Sequence, residues 1–428
     1  MKYIIYTLGC KVNQYETQAM ETLLGEHGHS AAADGESADA VIINTCAVTA
    51  EAGRKSRQAI NRLREENPDA VIAVSGCYSQ LSPDTAQSLG ADIVFGSNDR
   101  IKLVQAVESA VETGAGERLL DAPFERRIFE ELPAGAVAGH TRALLKIQDG
   151  CVNFCSYCII PYTRGRVRSL PIEAAVKQTK QLAEEGYKEL IITGIEIASY
   201  GVDLPGKPDL ADVICAIAEA SPDVRLRLGS IEPSIITEDF CRRLAECGNV
   251  CRHFHLSLQS GCDSTLKAMN RKYNTAEFFA ATELLRKYFP DCGLTADLIV
   301  GFPGETEEHQ QETLNFLEKV GFADVHIFPY SRRPGTPADK MECQLDRATK
   351  AKRSKQARKV AAQTRLAYLD NCIGKTLPVL FETEEDGFWQ GHSDTYILVK
   401  VKGENLRGAV KNVEITGVYG EMLVGNMV

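Results

Sequence analysis

The sequence has no long hydrophobic run, although 44% of its 428 residues are hydrophobic. A membrane-spanning helix needs about 18 or more consecutive apolar residues, and no window of this chain reaches that length. The apolar stretch at residues 3–6 is too short for the core of a signal peptide. We therefore expect a cytoplasmic protein that has no membrane among its partners.

The sequence also lacks an excess of positive charge. Its 58 acidic residues outnumber its 48 Lys and Arg residues, which gives a formal net charge of -10 at pH 7. A protein that coats nucleic acid indiscriminately is expected to be basic. That class is excluded, so any contact with RNA must come from local basic patches. The 14 cysteines are spread through a long chain without a secretory signal, which favours thiols and metal ligands over disulfides.

What the sequence does contain is a short segment, residues 150–158, with three cysteines: Cys151, Cys155 and Cys158, here called the loop triad. Three thiolates can hold three irons of a 4Fe-4S cluster and leave the fourth iron open to a small molecule. A structural zinc site needs a fourth ligand close by, and no Cys or His follows at zinc-finger spacing. The pattern predicts a catalytic iron-sulfur loop rather than core cysteines or a partial zinc site.

The first part of the chain alternates strand patterns at residues 2–8, 40–44 and 70–75 with helical patterns at 14–26 and 51–66. This alternation predicts an α/β domain with a parallel sheet. A cysteine follows each predicted strand, and we call Cys10, Cys46 and Cys77 the sheet triad. The carboxyl ends of parallel strands share one edge, so these thiols are expected to converge as a second cluster site. The alternative is three unrelated buried cysteines.

The alternation resumes after residue 141, with strands predicted at residues 143–147, 190–193, 224–228, 253–258, 294–300 and 323–328. Six β/α units predict a partial, open (β/α)6 barrel whose site lies at the carboxyl ends of its strands. Polar residues at those ends are candidate cofactor contacts, although each is also compatible with a helix cap. They are Gly194, Glu196, Ser230, Glu232, Ser257 and Gln259.

The last part of the chain begins with a basic helical pattern. Eight Lys and Arg residues and no acid occur between Arg347 and Arg365, which indicates either a helix linking two domains or a surface that contacts phosphates. The candidate RNA contacts are Lys352, Arg353 and Lys355, with Arg164, Arg166 and Arg168 beside the loop triad. Short alternating segments at residues 377–382, 387–391, 395–401, 405–415 and 421–428 predict a small, closed, antiparallel β-barrel.

With both triads in place, the chain resembles the methylthiotransferases of the radical SAM superfamily from end to end. The matching segments are Thr7-Leu8-Gly9-Cys10-Lys11-Val12-Asn13-Gln14-Tyr15-Glu16-Thr17 and residues 44–49, 75–77, 155–162, 255–261 and 269–271. The resemblance implies a methylthiotransferase domain at residues 1–120, a radical SAM domain at 137–368 and a TRAM barrel at 369–428. It also implies two 4Fe-4S clusters and S-adenosylmethionine (SAM).

The resemblance further implies how the sites work. In this family the loop-triad cluster binds SAM at its open iron, and one-electron reduction splits SAM to a 5′-deoxyadenosyl radical. The sheet-triad cluster carries the sulfur, so both clusters are expected to face one cavity. Tyr157 is expected near the adenine, and Arg271 joins the candidate cofactor contacts. Glu196 stands where relatives carry His or Asn, which leaves its role open.

Among the branches of the family, residues 8–16 most resemble the enzyme that methylthiolates C2 of N6-threonylcarbamoyladenosine, the modified adenosine 3′ to the anticodon of tRNA. The expected partners are then a tRNA anticodon stem-loop, SAM, a sulfur donor and an electron donor. The alternatives are an aspartate methylthiotransferase of a ribosomal protein, favoured by the acidic C-terminal barrel, and the prenyl-adenosine branch. A non-enzymatic iron-sulfur protein that binds RNA does not require an open iron.

Overall fold

The computed structural model describes residues 1–134 and 141–428. The expected start of the central domain, at residue 137, lies outside these ranges. Within them, no helix combines the length and the apolar character that crossing a membrane requires. The described residues form a parallel α/β domain, a partial β/α barrel and a closed β-barrel, in that order.

Within residues 1–134, six parallel strands form one sheet in the order β2-β1-β3-β4-β5-β6. The strands are β1 (Lys2–Thr7), β2 (Ser30–Ala31), β3 (Ala40–Thr45), β4 (Val71–Gly76), β5 (Ile93–Phe95) and β6 (Glu117–Leu119). The helices are α1 (Lys11–Glu26), α2 (Ala50–Glu66), α3 (Cys77–Leu81), α4 (Pro83–Ser88) and α5 (Arg100–Thr113). All six residues of β3 are buried, as expected for a central parallel strand covered by helices on both faces.

The central region confirms the predicted partial barrel of six β/α units. Its strands are β7 (Arg142–Lys146), β8 (Gln148–Asp149), β9 (Arg168–Ser169), β10 (Glu189–Thr193), β11 (Arg225–Leu228), β12 (Ser230–Ile231), β13 (His253–Gln259), β14 (Gly293–Val300) and β15 (Asp324–Pro329). Its helices are α6 (Ile160–Arg164), α7 (Ile172–Glu184), α8 (Leu210–Ala220), α9 (Glu238–Glu246), α10 (Asp263–Ala268), α11 (Thr275–Tyr288) and α12 (Glu307–Val320). The third unit contributes both β11 and β12, and a bridge between Leu226 and Val250 connects the two halves of the barrel.

The basic segment forms the long helix α13 (Arg347–Asn371), which extends across the expected domain boundary at residues 368 and 369. The closed barrel that follows contains β16 (Thr376–Glu385), β17 (Phe388–Ser393), β18 (Leu398–Lys402), β19 (Val410–Tyr419) and β20 (Met422–Met427). The barrel was predicted to be antiparallel. One pairing differs, because β18 and β20 run parallel where the barrel closes.

The N-terminal domain covers the inner face of the partial barrel. Ala143 and Leu145 of β7 pack in the main core of the barrel, so the alternating residue Leu144 faces the opposite way. Leu144 forms a separate cluster with Tyr15 and Ala19 of α1. Helix α1 follows Cys10 directly, so this contact brings the carboxyl edge of the N-terminal sheet against the barrel interior.

The C-terminal barrel lies against the amino ends of the central strands. The Arg227 guanidinium donates to the carbonyl oxygens of Asp394 and Ser393, both at 3.0 Å. Gly293, the first residue of β14, has no room for a side chain, since a Cβ there would lie 2.3 Å from the Thr395 carbonyl oxygen. The C-terminal barrel therefore packs directly against the amino end of β14.

His253 should make the stability of this contact depend on pH. Its ring stacks on Tyr396 at 4.7 Å, and burial, followed by the Arg227 charge, lowers its pKa well below the usual value. Below about pH 6.5 the unfolded chain therefore binds a proton that the folded chain does not, and stability falls by up to about 1.4 kcal/mol per pH unit. In urea unfolding between pH 5 and 7, His253→Gln should flatten this dependence. Parallel curves for the two proteins would contradict the assignment.

Candidate active site

The structure brings the sheet triad together at the carboxyl ends of β1, β3 and β4. Gly9 has a φ of 111°, and a Cβ there would lie 2.7 Å from the Cβ of Cys46 and 2.9 Å from its Sγ. Only glycine allows the Cys10 loop to approach Cys46 this closely. Burial, followed by the neighbouring Cys77 thiol, raises the pKa of Cys46 to about 12. This thiol stays protonated at neutral pH unless a bound cation displaces its proton.

The loop triad lies on a segment whose conformation is fixed by backbone contacts with two other parts of the chain. Gly150 has a φ of 76°, and a Cβ there would lie 1.9 Å from the Arg166 carbonyl oxygen. The Ser156 N–H donates to the Met269 carbonyl at 3.0 Å, and the Asn270 amide donates to the Phe154 carbonyl at 2.9 Å. The segment at residues 269–271 therefore fixes the conformation of the cysteine loop.

N–H groups point at the sulfurs of both triads. The Asn153 N–H donates to Cys151 Sγ at 3.5 Å, Arg271 Nη1 to Cys155 Sγ at 3.2 Å, and Arg164 Nε to Cys77 Sγ at 3.4 Å. Hydrogen bonds of this kind stabilise thiolates and tune the potential of iron-sulfur clusters. Two sets of three unpaired thiols with N–H donors fit two clusters that each leave one iron open.

The two triads are neighbours. Arg164 of α6, six residues after Cys158, contacts Cys77, and the Cys77 thiol contributes to the raised pKa of Cys158, after burial. In the part of the chain that the structure describes, no three His, Cys, Asp or Glu side chains are grouped closely enough for a single metal ion. That finding concerns mononuclear sites, because a cubane distributes its protein ligands over separate irons.

Three predicted cofactor contacts form a charged cluster beside the loop triad. The Arg271 guanidinium is 2.6 Å from Glu232 Oε1, and burial, followed by the Glu232 charge, raises the pKa of Glu196 to about 8. Glu196 also contributes to the raised pKa of Cys151, after burial, which places it near that sulfur. Two carboxyl groups and one guanidinium can bind an ammonium and a carboxylate on the same small molecule.

The structure places the remaining predicted contacts around this cluster. Ser230 and Ser257 are within hydrogen-bond distance of each other, at 3.0 Å, and Gln259 ends β13 with a φ of 62°. Gly194 has no space for a side chain, since a Cβ would lie 2.8 Å from the Gln148 carbonyl oxygen. Tyr157 packs against the apolar cluster that contains Met269.

Three of the predicted RNA contacts are wrong. Arg164 and Arg168 are fully buried, and the Arg164 guanidinium pairs with Glu16 of α1 while Arg168 lies 3.4 Å from Asp149. Arg353 is also buried, with its guanidinium 2.6 Å from Glu305 Oε1. These side chains already neutralise buried carboxylates and cannot reach a phosphate. The other three predicted contacts, Arg166, Lys352 and Lys355, are exposed.

Arg164 belongs to a charged network between the first two domains. Glu16 accepts from Arg100 at 2.7 Å and from the Lys146 ammonium at 3.2 Å, in addition to Arg164. Asp149 accepts from the same ammonium at 2.7 Å. Although burial alone would raise the pKa of Glu16, these three cations hold it well below its usual range. The network joins the N-terminal sheet to the loop triad.

A cavity of about 520 Å³ lies where the three domains meet. Cys10 forms part of its wall, and Gly194 and Ser230 connect it to the charged cluster near the loop triad. Its polar lining also includes Lys11, Thr193, His253, His255, Thr295, Asp324, His326, Arg365, His392 and Tyr396. Sequence reasoning had not assigned Lys11 or these four histidines to a site. The only signal was that Lys11 and His255 lie in segments that match the family.

Comparison with known proteins gives a consistent result. Residues 145–317 match the radical SAM superfamily, and residues 2–96 match the uncharacterized protein family UPF0004. The chain is 40% identical to threonylcarbamoyladenosine tRNA methylthiotransferase MtaB of Bacillus subtilis, over 96% of this chain and 92% of that protein. The MtaB protein of Thermotoga maritima is 36% identical, over 98% and 95% of the two chains.

A relative with another named substrate and a solved structure are also similar. The tRNA-2-methylthio-N(6)-dimethylallyladenosine synthase of Alkaliphilus oremlandii is 34% identical, over 97% of this chain and 90% of that protein. The radical SAM methyltransferase TsrM of Kitasatospora setae superposes with a TM-score of 0.59 at 14% identity, covering 90% of this chain and 79% of that one. At this identity the structural likeness shows a shared fold only.

Proposed function

We propose, from the premise that this chain belongs to the radical SAM tRNA methylthiotransferases, that its substrate is N6-threonylcarbamoyladenosine and that it methylthiolates C2 of this base. The enzyme uses SAM and 4Fe-4S clusters, as the family does. The relatives described above are named for tRNA, which favours tRNA over the ribosomal-protein alternative. A tRNA anticodon stem-loop, an external sulfur donor and a cytoplasmic location follow from this proposal.

The observation that carries the proposal is the charge in the cavity beside Cys10. Lys11 lies in its wall, and among the described residues its ammonium group makes no ion pair or hydrogen bond. Arg365 and His326 line the same cavity. A threonylcarbamoyl group carries a carboxylate and a hydroxyl, which such donors bind. A dimethylallyl group has no polar atom and so offers the Lys11 ammonium no partner, whereas the carboxylate of a threonylcarbamoyl group would pair with it.

The residues near the loop triad are suited to hold SAM. When bound, the clusters supply one-electron cleavage of SAM and a carrier for sulfur. We assign the ammonium group of SAM to Glu196 and Glu232, and its carboxylate to Arg271, whose guanidinium already lies beside Cys155. Gly194, Ser230, Ser257, Gln259 and Tyr157 are proposed to line the remainder of the SAM site. In this assignment, the protonated form of Glu196 would weaken ammonium binding below about pH 8.

The tRNA is proposed to lie across exposed basic and aromatic side chains rather than the buried arginines. Arg166, Lys352 and Lys355 are candidates for phosphate contact. The C-terminal barrel adds a groove of about 410 Å³ lined by Phe388, Lys400, Lys402 and Tyr419, among others. The Lys400 ammonium lies 4.7 Å from the centre of the Phe388 ring. Aromatic faces beside cations suit unstacked bases, and the target base lies in a single-stranded loop.

The test compares two synthetic anticodon stem-loops, one with N6-threonylcarbamoyladenosine and one with N6-dimethylallyladenosine. Reconstituted enzyme should methylthiolate only the first. Lys11→Met should lower kcat/KM for it by roughly 10- to 100-fold, because a hydrogen bond to a charged group is lost, while SAM cleavage persists. Lys180→Met, at an exposed position of α7, is the matched control and should leave kcat/KM unchanged. Equal turnover of the two stem-loops by the wild-type enzyme would overturn the substrate assignment.

A further inference from the structure

A tyrosine of the C-terminal barrel forms part of the wall of the cavity of about 520 Å³, here called the substrate cavity. Tyr396, in the turn between β17 and β18, lines it together with Cys10 and His253. The Tyr396 ring stacks on His253 of β13, with centres 4.7 Å apart, and on His392 of β17, with centres 4.9 Å apart. The guanidinium carbon of Arg227 lies 4.8 Å from the ring centre. Two domains therefore hold this ring in one place.

The backbone at Tyr396 is strained. Its φ of 69° lies in the left-handed region, which is unusual for a bulky residue. The turn imposes this conformation, because the Tyr396 N–H donates to the Ser393 carbonyl at 3.0 Å and the Ser393 N–H donates to the Ile397 carbonyl at 2.9 Å. Strained residues persist where the surrounding structure fixes them, and they are concentrated at ligand-binding sites. The conformation costs stability, which favours a role for Tyr396 beyond packing.

Packing explains the ring of Tyr396 but not its hydroxyl, since a phenylalanine would stack on both imidazoles equally well. Within residues 1–134 and 141–428, no group hydrogen-bonds this hydroxyl. The two stacked histidines have their partners elsewhere. His253 Nε2 lies 3.0 Å from Thr295 Oγ1, and His392 Nδ1 lies 2.7 Å from Glu382 Oε2. The Tyr396 hydroxyl is therefore available to a ligand in the substrate cavity.

Strand β13 indicates how far Tyr396 lies from the proposed SAM site. Leu256 packs in the main core of the partial barrel, so the alternating residues His253 and Ser257 face the opposite way. Ser257 belongs to the proposed SAM site and follows His253 by four residues, which is about 13 Å along a strand. An adenine ring alone is too short to span this distance. An adenine with an extended N6 substituent comes much closer to spanning it.

We propose that Tyr396 is a specificity-determining residue whose hydroxyl hydrogen-bonds the hydroxyl of the threonyl group when the N6 substituent extends along the substrate cavity. A phenol both donates and accepts hydrogen bonds, which suits a neutral hydroxyl. The Lys11 ammonium suits the carboxylate of the same substituent. The central domain then binds SAM, and the C-terminal barrel recognises the substituent. This inference rests on the proposed function and adds the residue that distinguishes threonyl from a group of the same shape.

The experiment uses reconstituted holoenzyme and two synthetic anticodon stem-loops that differ in one group. One carries N6-threonylcarbamoyladenosine and the other N6-valylcarbamoyladenosine, in which a methyl group replaces the hydroxyl and the carboxylate is kept. The wild-type enzyme should prefer the threonyl form by about 3- to 10-fold in kcat/KM, the effect of one neutral hydrogen bond. Tyr396→Phe keeps the ring stack and should turn over both forms with equal kcat/KM. Tyr288→Phe, which removes a hydroxyl that contacts Glu238 on the outer surface, is the matched control and should keep the wild-type preference.

Three results would overturn the inference. Equal turnover of the two forms by the wild-type enzyme would show that the threonyl hydroxyl has no partner. A wild-type preference in Tyr396→Phe would place that partner on another residue. An equal loss with both forms in Tyr396→Phe would assign the tyrosine to packing alone, whereas we expect its urea unfolding and its SAM cleavage without tRNA to match the wild type.

None of these results affects the comparison with the dimethylallyl stem-loop. Failure of the inference about Tyr396 is therefore distinguishable from failure of the proposed substrate. Equal turnover of the dimethylallyl and threonylcarbamoyl forms by the wild-type enzyme would overturn the proposed substrate, and the role of Tyr396 with it.

Discussion

Replacing Cys10, Cys46 and Cys77 together by alanine is expected to abolish methylthio transfer to tRNA while SAM is still cleaved to 5′-deoxyadenosine. If each triad supplies three thiols for its own cluster, as we propose, iron content should fall from about eight to about four per chain. The charged cluster of Glu196, Glu232 and Arg271 lies beside the other triad, so SAM should still bind. Iron analysis and chromatography of the nucleoside products measure both outcomes after anaerobic reconstitution.

The complementary variant replaces Cys151, Cys155 and Cys158 by alanine and should also retain about four irons, but without SAM cleavage. Cys343→Ala, at an exposed cysteine outside both triads, should retain about eight irons and full activity. The division of labour between the triads is refuted if loss of the sheet triad removes 5′-deoxyadenosine formation. A full iron complement in either triple variant would remove the cluster assignment itself.

Glu16→Gln is expected to destabilise the protein by about 3–5 kcal/mol, the usual cost of leaving buried charges uncompensated. The fully buried Glu16 carboxylate neutralises Arg100, Arg164 and Lys146, and glutamine keeps the shape without the charge. Urea unfolding of the cluster-free protein at pH 7 measures the loss. Glu26→Gln, an exposed change at the end of the same helix, should cost less than about 0.5 kcal/mol.

The pH dependence provides an independent check on Glu16. Its pKa in the folded protein is depressed, so its contribution to stability is complete above the unfolded value of about 4.3 and is lost as the pH falls below it. The difference in unfolding free energy between wild type and Glu16→Gln should therefore shrink between pH 5 and pH 3. A difference that stays constant over this range would mean that packing, rather than charge, causes the loss.

The sequence was sufficient to predict those elements whose hydrophobic patterns extend over several residues. The six strands of the partial barrel follow from hydrophobic runs that end in turns. The sheet triad was predicted from its place after three such runs, and the loop triad from the spacing of its cysteines. Strands β2, β5 and β6 contain only two or three residues each, too few for a periodic pattern, and were not predicted. The parallel pairing of β18 with β20 depends on how the barrel closes, which the alternation within a single strand does not specify.

Charged residues were harder to assign than strands. Arg164 and Arg166 are two residues apart beside the same cysteine loop, yet one is buried and the other exposed. The partner of Arg164 is Glu16, 148 positions earlier in the chain. No local sequence pattern indicates an ion pair between residues so far apart in the chain. The cavity was missed for a related reason, because its lining comes from all three domains.

The network around Glu16 also constrains how the sequence of this chain can evolve. The carboxylate belongs to one domain and two of its three cations belong to the other, so a charge lost on one side leaves an unpaired charge on the other. Substitutions at Glu16, Lys146 and Arg164 are therefore expected to survive only in compensated combinations. The first two domains should therefore coevolve. Replacing one of them by the same domain of a distant relative should succeed only where the whole set of charges is transferred.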